Sequence, residues 1–145
     1  MGIKFFLDGE IKDRIQELVQ ALGMEHVDLS RVVCVRSKGS KSRRTIARCY
    51  ALSKIWQLAL AIDAHYVIEV IPEKFDRLSR EDQDKVLLHE LLHIPFSFGG
   101  GFKHHGNWVT QRNVDALYKQ YLKRKSVEKP LIDGEPALEL HRYLY

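Results

Sequence analysis

Three ionisable side chains, His89, Glu90 and His93, interrupt the otherwise apolar run LLHELLHIP at residues 87 to 95. At 3.6 residues per helical turn, positions four apart stack on one face, so the two imidazoles would project together with Glu90 about 100° around the axis. Left unpaired among leucines, these groups would cost on the order of several kcal/mol, so the pattern implies a partner. A divalent metal ion satisfies all three. Imidazoles from adjacent turns supply two ligands, and the carboxylate reaches water on the metal. Two core histidines bonded to backbone, with Glu90 reaching solvent, would leave too many polar groups to satisfy. A structural zinc site is generally four-coordinate and rich in cysteine, and neither Cys34 nor Cys49 is near the motif.

A catalytic zinc takes three protein ligands and keeps one position open. Candidates for the third are His104, His105, Asp115 and Glu128. Residues 96 to 106, FSFGGGFKHHG, form a turn, because each glycine costs about 1 kcal/mol in a helix interior. Such a turn returns His104 and His105 towards the first pair. Asp115 falls well inside the next helix and Glu128 beyond it, where each reads as a surface charge. Spacing alone does not choose between His104 and His105.

The elements that must position these residues are legible around them. Residues 8 to 22 place Ile11, Ile15, Leu18, Val19 and Leu22 on one helical face, opened by Asp8 and closed by Gly23. The runs 31 to 36 and 45 to 51 read as strands joined by the basic loop SKGSKSRR, and are expected to pair as an antiparallel hairpin. Residues 53 to 62 lean towards a short helix. Tyr66 to Ile71 is β-rich and stopped by Pro72, so it reads as a buried strand. Ser79 with Asp82 makes a capping-box-like start for the helix that carries the histidines, and Pro95 stops it. A second long helix is expected from residue 107 to 125, with Val114, Leu117, Tyr118 and Tyr121 on one face and Lys123, Arg124 and Lys125 at its C-terminal end. Residues 1 to 125 are expected to form a single domain, followed by an irregular tail from 126 to 145.

Composition fits a small enzyme without pointing to one. The 145 residues are 45% hydrophobic and 29% charged, ordinary for a globular protein. The longest apolar runs fall well short of the roughly 18 residues of a membrane span, and MGIKFFLDGE lacks a signal-peptide core, so a cytoplasmic protein without a membrane partner is expected. A net charge of +4 permits nucleic-acid contact without requiring it. Two cysteines read most simply as buried thiols. In the expected hairpin, however, Cys34 and Cys49 would face each other and could form a cross-strand disulfide.

The stretches RCYALSKIWQLAL, HYVIEVIPEKFDRLS and above all HELLHIPFSFGGGFKHHG resemble small archaeal and phage metallopeptidases related to the SprT-like zincins, over residues 32 to 105. The resemblance implies a zincin-like α+β fold: an N-terminal helix, a small mostly antiparallel sheet with an edge strand along the cleft, a HExxH active-site helix and a long C-terminal helix. It also implies Zn2+ on His89, His93 and His105, with Glu90 as general base. His104, at a position where the family has another residue, remains an alternative ligand or an oxyanion donor. The implied activity is a zinc metallopeptidase acting on a peptide or protein substrate. SprT-like kinship and the basic loop together raise DNA-associated protein as a substrate, with Lys38, Lys41, Arg43 and Arg44 as candidate nucleic-acid contacts. The rival reading is a DNA-associated binding module with a structural or vestigial zinc site.

Overall fold

The computed structural model describes residues 2–126; the expected tail and Glu128 lie outside the described residues. In chain order the elements are β1 (Lys4–Leu7), α1 (Gly9–Leu22), a 3-10 turn (Leu29–Arg31), β2 (Val32–Lys38), β3 (Ala47–Ala51), α2 (Lys54–Leu60), β4 (Tyr66–Val70), α3 (Pro72–Phe75), α4 (Arg80–Leu92) and α5 (Gln111–Lys125). The chain is α+β. Its helices start and stop where local chemistry dictates: the Asp8 carboxylate accepts from the Ile11 N–H, and Gly23 closes α1 at φ 65°, a left-handed conformation that glycine adopts without a Cβ penalty.

The sheet order is β1-β2-β4-β3. β1 pairs antiparallel with β2, β2 runs parallel to β4, and β4 pairs antiparallel with β3. Two of the three pairings are antiparallel, but the expected hairpin between β2 and β3 does not form. β4 lies between them, and its apolar sequence explains why. Tyr66, Ile68, Glu69 and Val70 are all buried, so this strand takes the interior place with a neighbour on each side. Cys34 and Cys49 both lie opposite Ile68, one on each side of it. Two strand spacings separate them by roughly 9.5 Å, well beyond the reach of a disulfide, and both are free thiols.

One face of the sheet carries the core. Ile11, Ile15, Leu18 and Leu22 of α1 pack with Val32 and Cys34 of β2, Tyr66 and Ile68 of β4, and Leu87, Leu88, Leu91 and Leu92 of α4. α1 lies against β2, α4 against β3, and α5 bridges α1 and α4. The motif helix is also tied to α1 through charge: Arg14 donates to Asp84 at 2.6 Å and to the Gln83 side chain at 2.8 Å. This ion pair is nearly buried, with both side chains no more than 10% exposed. At the other end of the exposure scale, α2 buries none of its side chains.

Candidate metal centre

α4 begins at Ser79, whose hydroxyl accepts from the Asp82 N–H, and ends at Leu92 with His93 as its C-cap. The chain then turns through Phe98 and Gly100, both at positive φ. Gly100 has φ +103°, and a Cβ there would stand 2.7 Å from the Leu52 carbonyl oxygen and 2.3 Å from Gln57 Nε2. Only glycine fits. The buried Tyr66 hydroxyl holds this turn from below, accepting from the Gly100 N–H at 3.0 Å and donating to the Gly101 carbonyl at 2.8 Å. Two reciprocal bonds then fasten the returning chain to the helix end. Lys103 N–H donates to the His93 carbonyl at 2.8 Å, and His93 Nδ1 donates to the Lys103 carbonyl at 2.5 Å. Trp108 Nε1 donates to the Leu92 carbonyl, capping another orphan acceptor of the helix terminus.

This path brings His105 to the first histidine pair. One ring nitrogen from each of His89, His93 and His105 lies within 4.8 Å of the others, and the Nε2 atoms of His89 and His105 are 3.0 Å apart. Because a carbonyl only accepts, its bond to His93 fixes the proton on Nδ1 and leaves Nε2 as the lone pair facing the cluster. Burial, followed by the neighbouring His93 and His105, pushes His89 down to about 4. Burial likewise lowers His93, although its bond to Lys103 opposes the shift. Neutral, converging imidazoles are the form a divalent metal ion requires. Ligands at 2.0–2.1 Å in a tetrahedral arrangement stand about 3.3 Å apart, so small ring rotations would seat one ion. The residues fit a metal.

Glu90 is buried beside them, with Oε1 4.0 Å from His93 Nε2. Burial raises its carboxyl to about 7. His104 does not join the trio: it is exposed and meets Phe102 edge-on at 5.2 Å. Asp115 is also elsewhere, paired with Lys85 at 3.1 Å and accepting from Gln111 at 2.8 Å. Lys38, Lys41, Arg43 and Arg44 are exposed, and Arg44 also lines the cleft described next.

β3 forms one edge of the sheet. Leu52 N–H bonds to the His65 carbonyl, and Ile71 N–H to the Ile46 carbonyl. That alternation assigns positions 46, 48, 50 and 52 to the β4 side, so Ala47, Cys49 and Ala51 turn their N–H and C=O groups to the open edge. Between the start of this edge and α4 lies a cavity of about 520 Å³ that includes Ile46, Ala47, Val86, His89, Glu90 and His105. Tyr66, Phe102 and Lys103 lie in stretches singled out above, but neither their supporting roles nor this cavity is announced by any spacing. They are assembled by tertiary contacts across distant positions.

The trio, the carboxylate and the open edge describe a cleft in which a metal ion and an extended chain could meet. No helix among the described residues is long and apolar enough to cross a membrane. No curated protein and no solved structure matches the chain. A family model does match, over residues 3–126, and its span takes in every element from β1 to α5 together with the three converging histidines; the chain belongs to the family described as putative phage metallopeptidase.

Proposed function

We propose that the protein is a zinc-dependent peptidase of the SprT-like zincin kind, in which His89, His93 and His105 hold the ion and Glu90 is the general base. The observation that carries this reading is the convergence of three imidazole nitrogens beside a buried carboxylate and the open edge of β3. An ion held there would supply Lewis acidity, which acidifies water and polarises a carbonyl. The chain's own residues do the rest. Ala47, Cys49 and Ala51 align an extended substrate by backbone hydrogen bonds. The Glu90 carboxylate accepts a proton from the attacking water and passes it to the departing amine. Three imidazoles without a fourth protein donor among the described residues favour an open, catalytic site over the rival structural one.

A narrower form of this reading has the substrate held near DNA. Arg44 lines the cleft, and it continues a basic segment with Lys38, Lys41 and Arg43, so DNA bound along that segment would sit beside the substrate. Salt-dependent binding that weakens in the Lys41→Ala/Arg43→Ala double variant tests it.

The ligand assignment is tested by metal analysis of protein purified without added zinc. One equivalent per chain is expected in the wild type and in His104→Ala, with loss in His89→Ala, His93→Ala and His105→Ala. Retention by His105→Ala with loss by His104→Ala would reverse the assignment.

A further inference from the structure

β1 is the second edge of the sheet, and it lies far from the histidine cluster. Its residues Phe5, Phe6 and Leu7 are 59, 45 and 78% exposed, and Ile3 just ahead of it is 46% exposed. Among the described residues, no strand pairs with its outer side. Asp8 N–H donates to the Cys34 carbonyl at 2.9 Å, and the register from Lys4↔Lys38 to Leu7↔Val35 carries this alternation back along the strand. Residues 4, 6 and 8 therefore bond towards β2, while Phe5 and Leu7 turn their N–H and C=O groups to the open side. Side chains alternate as well: Lys4, Phe6 and Asp8 lie on the face of the sheet that carries the core, Phe5 and Leu7 on the opposite face. Such edges are usually blunted by charge, proline or a covering element. β1 has only Lys4, which has no anionic partner among the described residues.

We propose that β1 is a self-association surface whose occupant is β1 of a second copy of this chain, paired antiparallel about a two-fold axis at Phe6. Three constraints select this register. A closed dimer needs an isologous contact, which for two edge strands means antiparallel pairing. Hydrogen bonding requires outward-facing residues to meet, so Phe5 pairs with the partner's Leu7 and Leu7 with the partner's Phe5. Charge then decides between neighbouring registers. With Phe6 opposite the partner's Phe6, Lys4 stands opposite the partner's Asp8, whereas a centre at Phe5 would place Lys4 against the partner's Phe6, and a centre at Leu7 would run it onto the partner's α1. The Asp8 carboxylate caps α1 through Oδ1 and keeps Oδ2 for this pair. The exposed aromatic and leucine side chains cover one another across the strands. The product is an eight-stranded sheet, in the order β3, β4, β2, β1 and then the partner's β1, β2, β4, β3, with both β3 edges and their histidine clusters free at its two ends. Seven strand spacings put those edges about 33 Å apart. The contact is small, so association in the micromolar range is expected.

Sedimentation velocity of the full chain across the micromolar range, with hydrogen exchange read on the same samples, tests this pairing. Wild type is expected to pass from monomer to dimer as concentration rises, and the Phe5 and Leu7 amides to become protected as it does. Phe5→Pro removes an N–H that faces the open side and none that bonds β2, so the dissociation constant should rise by at least about tenfold at unchanged circular dichroism. Lys4→Glu sets a carboxylate against the partner's Asp8 and should act in the same direction, with added salt narrowing its difference from wild type. Phe6→Cys reads the register: at the two-fold axis the two Cα atoms would stand about 4.5 Å apart, within disulfide reach, whereas two Leu7→Cys positions would lie roughly 8 Å apart. Oxidised glutathione should therefore link Phe6→Cys chains and leave Leu7→Cys chains unlinked. A monomer at every concentration, a dimer indifferent to Phe5→Pro and Lys4→Glu, or linkage through position 7 in place of 6 overturns the proposal. So does protection of Phe5 and Leu7 in a sedimenting monomer, which would make residues 127–145 of the same chain the occupant.

Discussion

His93 and Lys103 are joined twice, side chain to carbonyl and carbonyl to N–H, at 2.5 and 2.8 Å. This clamp converts the end of α4 into the floor of a three-histidine cluster. One bond sets the His93 tautomer, and the other sets where the chain re-enters, two residues before His105. Phe102 completes the clamp by stacking on the His93 ring at 4.5 Å with the planes 13° apart. Phe102→Ala should weaken metal binding by about tenfold, the lower end of what outer-shell changes cost, while circular dichroism stays unchanged. Competition against a chromophoric chelator measures this.

Tyr66→Phe removes the hydroxyl that accepts from Gly100 and donates to Gly101. The two backbone groups lose their partner in a partly buried place, so unfolding free energy should fall by about 1–3 kcal/mol. The same change releases the turn, so metal affinity should fall along with stability. Urea titration of the metal-free and metal-loaded forms reads both.

The Arg14–Asp84 pair is a structural prediction of the opposite kind, one that touches no reacting atom. Asp84→Ala leaves the Arg14 guanidinium in its nearly buried position without its anion, and removing one partner of such a pair costs about 3–5 kcal/mol. Chemical denaturation should show that loss. Removing both partners with Arg14→Met and Asp84→Leu should recover most of it.

Much of this fold was legible because it is written locally. Asp8, Gly23 and Ser79 are caps whose side chains or conformations act within one turn, and the spacing of His89 and His93 is a property of any α-helix. The strand partners were not legible. The runs that form β2 and β3 have the composition of a hairpin, and only competition from the buried β4 sends them to its two sides. β1 escaped notice because its four residues are all exposed, leaving no alternation to read. Pro72 was expected only to stop a strand, and it also opens α3, where its fixed φ suits the first helical position. α5 begins at Gln111, after a Thr110 cap, later than the expected residue 107; Trp108 is instead committed to the Leu92 carbonyl. At the site, the choice between His104 and His105 depended on the path of a glycine turn, which spacing does not encode. The cavity beside Glu90 joins Ile46 to Leu78 and Val86 across a long stretch of chain, and no shared pattern marks them.

Acid should destabilise the fold through His26. Burial pushes this imidazole down to about 4, with a backbone bond to Ile94 opposing and Lys103 reinforcing the shift, and its ring packs on Phe96 at 4.6 Å. The folded pKa lies below the unfolded value of 6.5, so between the two the unfolded chain binds more protons. Its contribution is complete above about pH 6.5 and is lost as pH falls towards 4. Melting temperature followed across that window in metal-saturated protein should decline, and less steeply in His26→Gln.

The central claim is that Glu90 transfers protons and does not hold the metal. Glu90→Gln keeps the shape of the side chain and its hydrogen-bonding capacity but cannot accept a proton, so zinc content and melting temperature should remain near those of the wild type. The decisive measurement is the turnover of an unfolded protein by wild type and Glu90→Gln at equal, verified zinc occupancy. A fall of about 10²-fold or more, the scale expected for losing general-base assistance, is the predicted result; undiminished turnover at full occupancy would contradict the mechanism, and loss of zinc would instead make Glu90 a ligand.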